Sequence, residues 1–167
     1  VEHLMQFVSV DAYGKRAEYI RDGLDFNYMM DNVEEFLDRI PVRNSITFIC
    51  TYNNLSITSM DKLLQKIMEL RKKYSKTYQR VWFDVPLLRQ PAWQEIILLP
   101  ESYQIIHEDN IKYMQNNSGE HNGLHIFKDF EIQKMQRNLA HWRNAEKDLT
   151  QQKKNFYAFF NEHDRRR

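Results

Sequence analysis

The sequence is short of the residues that staple or break a chain. One cysteine, Cys50, stands among 167 residues, which excludes an internal disulfide and leaves no thiolate set for a structural zinc or an iron–sulfur centre. Glycine and proline are scarce, four of each, so neither a collagen-like chain nor a Pro/Gly-rich disordered one fits. No apolar run approaches the roughly 20 residues of a membrane-spanning helix, and the mean hydropathy is −0.72. An excess charge of either sign is also missing. The 24 Lys and Arg face 23 Asp and Glu, a formal +1, so no global field draws the chain to nucleic acid or to an anionic membrane. Any charged ligand must be held by local groups. With no signal-peptide pattern at the N-terminus, the expectation is a soluble, cytoplasmic protein with no membrane partner. Val1 enters a strand-like run with no initiating methionine, and Arg165, Arg166 and Arg167 close the chain abruptly; a cut at the start, and another at the end, is expected.

What is present suits one core. Apolar residues make up 42% of the chain, enough for a domain of this size. Three apolar runs rich in Val, Ile and Phe, from Leu4 to Val10, Ser45 to Thr51 and Arg80 to Val85, lack clean alternation, as parallel strands buried on both faces do. Between the first two, Met29, Met30, Val33, Phe36, Leu37 and Ile40 recur at helical spacing, with Asn27 as N-cap and Pro41 as the stop. Between the second and third, Thr58 and Asp61 form a capping pattern ahead of a stripe of Met60, Leu63, Leu64, Ile67 and Leu70. The predicted fold is α/β: a parallel β-α-β-α-β core over residues 1–99, with a helical region over 100–167 packed on it. A three-stranded parallel sheet has two open edges, so either the C-terminal helices shield them or further strands are missing.

Ligands of parallel sheets sit at the carboxyl ends of the strands, and all three runs turn polar there. Ser9 and Asp11 follow the first, Thr51, Asn53 and Asn54 the second, and Asp84 ends the third. The Ser9 hydroxyl and Asp11 carboxylate are placed to hold sugar hydroxyls or an ammonium, and Arg21 offers a fork for a carboxylate. Spacing alone leaves a second reading open, in which Asp11 caps the next turn and Arg21 is a solvated surface residue.

The run SVDAYGKRAEYIR, the interval from Ser9 to Arg21, the stretch ITFICTYNNLSITSMDKLL and the segment RVWFDVPLLRQPAWQEIILLP resemble, in order, the fourth, fifth and sixth strand–helix units of radical S-adenosylmethionine (radical SAM) enzymes, close to the twitch and SPASM types. The ending FFNEHDRRR resembles the C-terminal region of the same proteins. The resemblance implies half of a partial (βα)6 TIM-like barrel. In the whole family a reduced 4Fe-4S cluster cleaves SAM to a 5′-deoxyadenosyl radical that abstracts hydrogen from a substrate. By this likeness Ser9 and Arg21 are candidate SAM ligands with Asp11 beside them, Thr51 and Asn53 approach the ribose or methionyl part, and Val85 and Leu87 border the adenine.

The departures are equally specific. The CxxxCxxC loop that binds the cluster is absent, and Cys50 lies within an apolar strand as an inert buried thiol. Ala12 stands where the family commonly has glycine, and the Gly-containing signature of the fifth strand is not recognisable in CTYNNLSI. The resemblance therefore implies a fragment inactive alone, completed by a cluster-bearing partner chain or associating through its sheet edges. The rival reading is a non-catalytic scaffold that keeps a half-barrel. Lesser candidates are Glu120, His121 and His125 as part of a metal site, set against a glycine-bearing loop with solvent-facing histidines, and the basic C-terminal segment as an RNA contact. Phe156, Phe159 and Phe160 at near-helical spacing favour packing onto the body instead. Trp82 and Phe83 read as core.

Overall fold

The computed structural model describes residues 2–40, 43–119, 123–145 and 148–166. Three strands, β1 (His3–Ser9), β2 (Arg43–Ile49) and β3 (Val81–Asp84), form one parallel sheet in the order β1-β2-β3. Between them run α1 (Lys15–Ile20), α2 (Phe26–Arg39) and α3 (Met60–Tyr74), and after them α4 (Gln104–Asn116), α5 (Asp129–Arg143) and α6 (Thr150–Arg165). The α/β class and the parallel pairing expected from the sequence are therefore present. No helix among the described residues is long and apolar enough to cross a membrane.

The helix starts differ from the sequence patterns. Asp25, not Asn27, caps α2, its carboxylate accepting from Tyr28 N at 2.9 Å. The Thr58 to Asp61 capping pattern does not form, because Ile57–Ser59 is a 3₁₀ turn and α3 begins at Met60. Ser59 Oγ instead accepts from Tyr13 N at 3.1 Å, tying the β1 loop to the start of α3. Pro41 and the pair Glu120 and His121 lie outside the described residues, while His125 Nε2 donates to Ser75 O at 2.8 Å. Gly14 and Gly23 have φ of 58° and 78°, the left-handed region that side chains disfavour, and they make the two turns that bracket α1.

Strand order follows chain order, so the right-handed crossovers place α2 and α3 on the same face of the sheet. Phe26, Met30, Val33 and Leu37 of α2 and Met60, Leu63, Leu64, Ile67 and Leu70 of α3 pack there against Ile46, Phe48, Val81 and Phe83. Residues alternate across a strand, so Met5, Phe7, Ser9, Ser45, Thr47, Ile49, Trp82 and Asp84 occupy the opposite face, where of these eight the small Ser45 alone is buried. This corrects the expectation of strands buried on both faces. In β1 every residue is exposed except the half-buried Val8, and Phe7 is 56% exposed. Trp82 is likewise not core but half-buried, stacked on the ring of Phe130 at 6.3 Å; Phe83 is buried.

The two edges of the sheet are finished in opposite ways. In β3, Arg80 O and Asp84 O accept from β2, so by parallel pairing Val81, Phe83 and Val85 turn their backbone groups outward. Each of the three has a side-chain partner. Arg71 Nε donates to Val81 O at 3.0 Å, Phe83 N donates to Glu131 Oε1 at 2.9 Å, and Asn138 Nδ2 donates to Val85 O at 3.3 Å. Arg71 and Glu131 are joined at 2.6 Å with neither side chain exposed. Along β1, whose extension Val10 N pairs inward with Ile49 O, the outward groups have one partner among the described residues, Gln6 Nε2 on Phe7 O.

Helices α4 and α5 cap the β3 side, and α6 reaches from the segment after β3 to α1. His107 of α4 donates through Nε2 to Met135 O at 2.9 Å, so its Nδ1 accepts from the Tyr52 hydroxyl at 2.7 Å. Burial holds the pKa of the ring below the usual histidine value. Helix α6 has no buried residue and is attached by rings: Phe159 lies 4.3 Å from Trp93 and Phe160 5.8 Å from Tyr19. His163 Nε2 adds a bond to Tyr19 O.

Candidate functional site

The polar residues after β1 and β2 converge on one carboxylate. Asp11, whose side chain is 8% exposed, accepts from Arg21 Nε at 2.7 Å through one oxygen and from Thr51 N at 3.1 Å through the other. The first contact bridges the turn at Gly14 and the short α1; the second ties the β1 end to the β2 end. Both oxygens are occupied, so Asp11 orients its neighbours and has little left to offer a ligand. Arg21 is in a different position. Its side chain is 39% exposed, and its terminal guanidinium nitrogens have no partner among the described residues. A guanidinium held by Nε presents a planar pair of donors outward, the geometry that grips a carboxylate or phosphate.

The other residues chosen from the sequence divide between this site and its surroundings. Ser9 is exposed at the end of β1, on the face with no helix layer. Asn53 is buried and engaged in its own turn: Nδ2 donates to Thr51 O at 3.0 Å and Oδ1 accepts from Leu55 N at 2.9 Å. It shapes the loop and leaves little for a ligand. Val85 is 1% exposed and belongs to the core, and it contributes to the wall of a cleft at the β3 end. Leu87 is half-buried beside a parallel bridge to Tyr52, and it lines the same cleft. Cys50 is fully buried, its thiol donating to Asp11 O at 3.4 Å, and burial raises its pKa well above the usual thiol value.

One group of residues was missed. On α5 the positions Lys134, Arg137, Asn138 and His141 follow the i, i+3, i+4, i+7 spacing of a single face, and together with Asp84, Leu87 and Arg89 they line a cleft of about 480 Å³ at the carboxyl end of β3. The signal is in the sequence, where a polar stripe runs beside the apolar stripe of Ile132, Met135, Leu139 and Trp142. Among the described residues no cluster of three or more His, Cys, Asp or Glu is arranged to hold a metal ion. No family model matches the chain, and the searches of curated proteins and of solved structures returned no match.

Proposed function

We propose that the chain supplies the C-terminal half of a radical SAM barrel and part of the surface that holds SAM. The observation that carries this reading is Arg21, pinned through Nε by the buried Asp11 that follows β1 and its exposed last residue Ser9, with its outer nitrogens unpartnered among the described residues. The fork suits the methionyl carboxylate of SAM. The Ser9 hydroxyl suits a ribose hydroxyl, and Asp11 with Thr51 serves to position Arg21. Two further features support it: a sheet wound with all its crossover helices on one face, as in a barrel, and a β1 edge left open where a preceding strand would pair. SAM, once bound, supplies the carbon radical precursor. The residues of this chain bind and orient it.

The cluster does not fit this chain. Its one thiol is buried, hydrogen-bonded and hard to ionise, whereas iron ligation takes several thiolates at one point. In this reading a partner chain carries the cluster, and the chain alone does not cleave SAM. The exposed apolar residues of β1, Leu4, Met5 and Phe7, favour the scaffold alternative equally, since a docking edge requires no cofactor. Calorimetric titration with SAM separates the two. Saturable binding that weakens by about tenfold in Arg21→Ala, the loss expected when a charge-assisted bond is removed, supports the SAM reading; no binding, or equal binding by both proteins, overturns it.

A further inference from the structure

The cleft beside β3 has a charge imbalance that its own residues do not resolve. Lys134 Nζ meets Asp84 Oδ1 and His141 Nε2 meets Glu95 Oε2 at 3.0 Å, so both nearby carboxylates are engaged. Arg89 and Arg137 remain. Each lines the cleft, each is exposed, and neither has a hydrogen bond or ion pair among the described residues. Asn138, buried at 4% exposure, donates to Val85 O and holds this side of α5 against the strand end. The floor is backbone that the fold fixes: Tyr52 N donates to Pro86 O at 2.9 Å and Leu88 N to Tyr52 O at 3.2 Å. Two arginines thus line one concavity from two different elements, α5 and the loop after β3.

We infer that this cleft binds an oxyanion, the carboxylate or phosphate group of a substrate, between Arg89 and Arg137. Unpaired arginines on an open helix face usually project into solvent and diverge; here both line one cavity at the carboxyl end of a parallel strand, where ligands of such sheets are held. Guanidinium forks recognise planar oxygens in pairs, and a weakly hydrated cation loses little when an anion replaces its water. The cleft lies at the β3 end, while Arg21 follows β1, so the two anion-binding groups are separate along the sheet. The inference rests on the reading above only in assigning the bound group to a substrate.

Amide shifts of the isotope-labelled chain, followed by NMR during addition of sodium phosphate and separately of sodium acetate, each against sodium chloride at matched ionic strength, test this. Saturating shifts at Leu87, Leu88, Arg89, Arg137 and Asn138 are expected, with a midpoint raised about tenfold in the Arg89→Gln/Arg137→Gln double variant and unchanged in Arg21→Ala. A lower midpoint for phosphate assigns a phosphoryl group, and a lower midpoint for acetate a carboxylate. Equal shifts with chloride, or an unchanged midpoint in a double variant whose spectrum remains folded, overturn the inference. Failure of SAM binding with retention of these shifts sinks the SAM reading and leaves the cleft standing.

Discussion

The two edges of the sheet belong to one fold and yet are finished in opposite ways. At β3 a four-residue strand has its outward backbone groups taken by Arg71, Glu131 and Asn138. At β1 a seven-residue strand runs along solvent with apolar side chains exposed. Natural sheets cover, charge or shorten their edges because an open one templates pairing with another chain. The β3 edge is short and capped, so the sheet ends there. The β1 edge has neither protection, and Leu4, Met5 and Phe7 stand exposed along it.

Glu131→Ala should have the largest effect of any single change. The carboxylate accepts from Arg71 Nη2, Phe83 N and Lys128 N, and its loss leaves the Arg71 guanidinium buried and unpaired as well as an orphaned strand N–H. Breaking a buried pair from one side costs about 3–5 kcal/mol, a large part of the stability of a domain this size. Urea unfolding measures it. A loss below about 1 kcal/mol would mean that the sealed edge is ornamental and the contrast between the edges is false.

Acid should loosen the same side by a smaller amount. The folded pKa of His107 is held below its unfolded value by burial, so the unfolded chain binds the extra proton first. Stability is then fully present above about 6.5, the ordinary histidine pKa, and falls as the pH drops below it toward the folded value. The carboxylate of Glu34, lowered to about 2 chiefly by its bond to Lys73, contributes stability that is lost only below the ordinary glutamate pKa of about 4.3, so the two windows separate. Urea unfolding across the interval between them should show a slope that His107→Gln reduces; an unchanged slope in the variant would remove His107 from the account.

The contrast was only partly legible in the sequence. The parallel β-α-β-α-β order could be read from apolar runs separated by helical stripes, because burial against a helix layer leaves a strong pattern. That one face lacks such a layer could not, since Met5, Phe7 and Trp82 are as apolar as true core. Asp11, Arg21 and Thr51 were named together on the rule that strand carboxyl ends gather, and they do meet. The role of Asp11 was not visible: which oxygen of a carboxylate is already taken depends on how α1 folds back, a tertiary fact. Arg71 and Glu131 escaped notice because charged residues on amphipathic helices ordinarily face water, and nothing local reveals that these two, 60 positions apart, are buried against each other.

The bare edge gives the smallest expected change in stability and the sharpest test of the comparison. Phe7 is 56% exposed and faces away from the helices, so Phe7→Lys removes few contacts and should alter the unfolding free energy by no more than about 0.5 kcal/mol, as surface substitutions do. A lysine on an edge strand opposes pairing with a second strand through charge and solvation. Sedimentation of the wild-type chain at rising concentration should therefore show association that Phe7→Lys suppresses while the monomer remains folded. If Phe7→Lys instead destabilises the monomer as much as Glu131→Ala, then β1 is already covered, and the sheet has no open side on which to receive a partner.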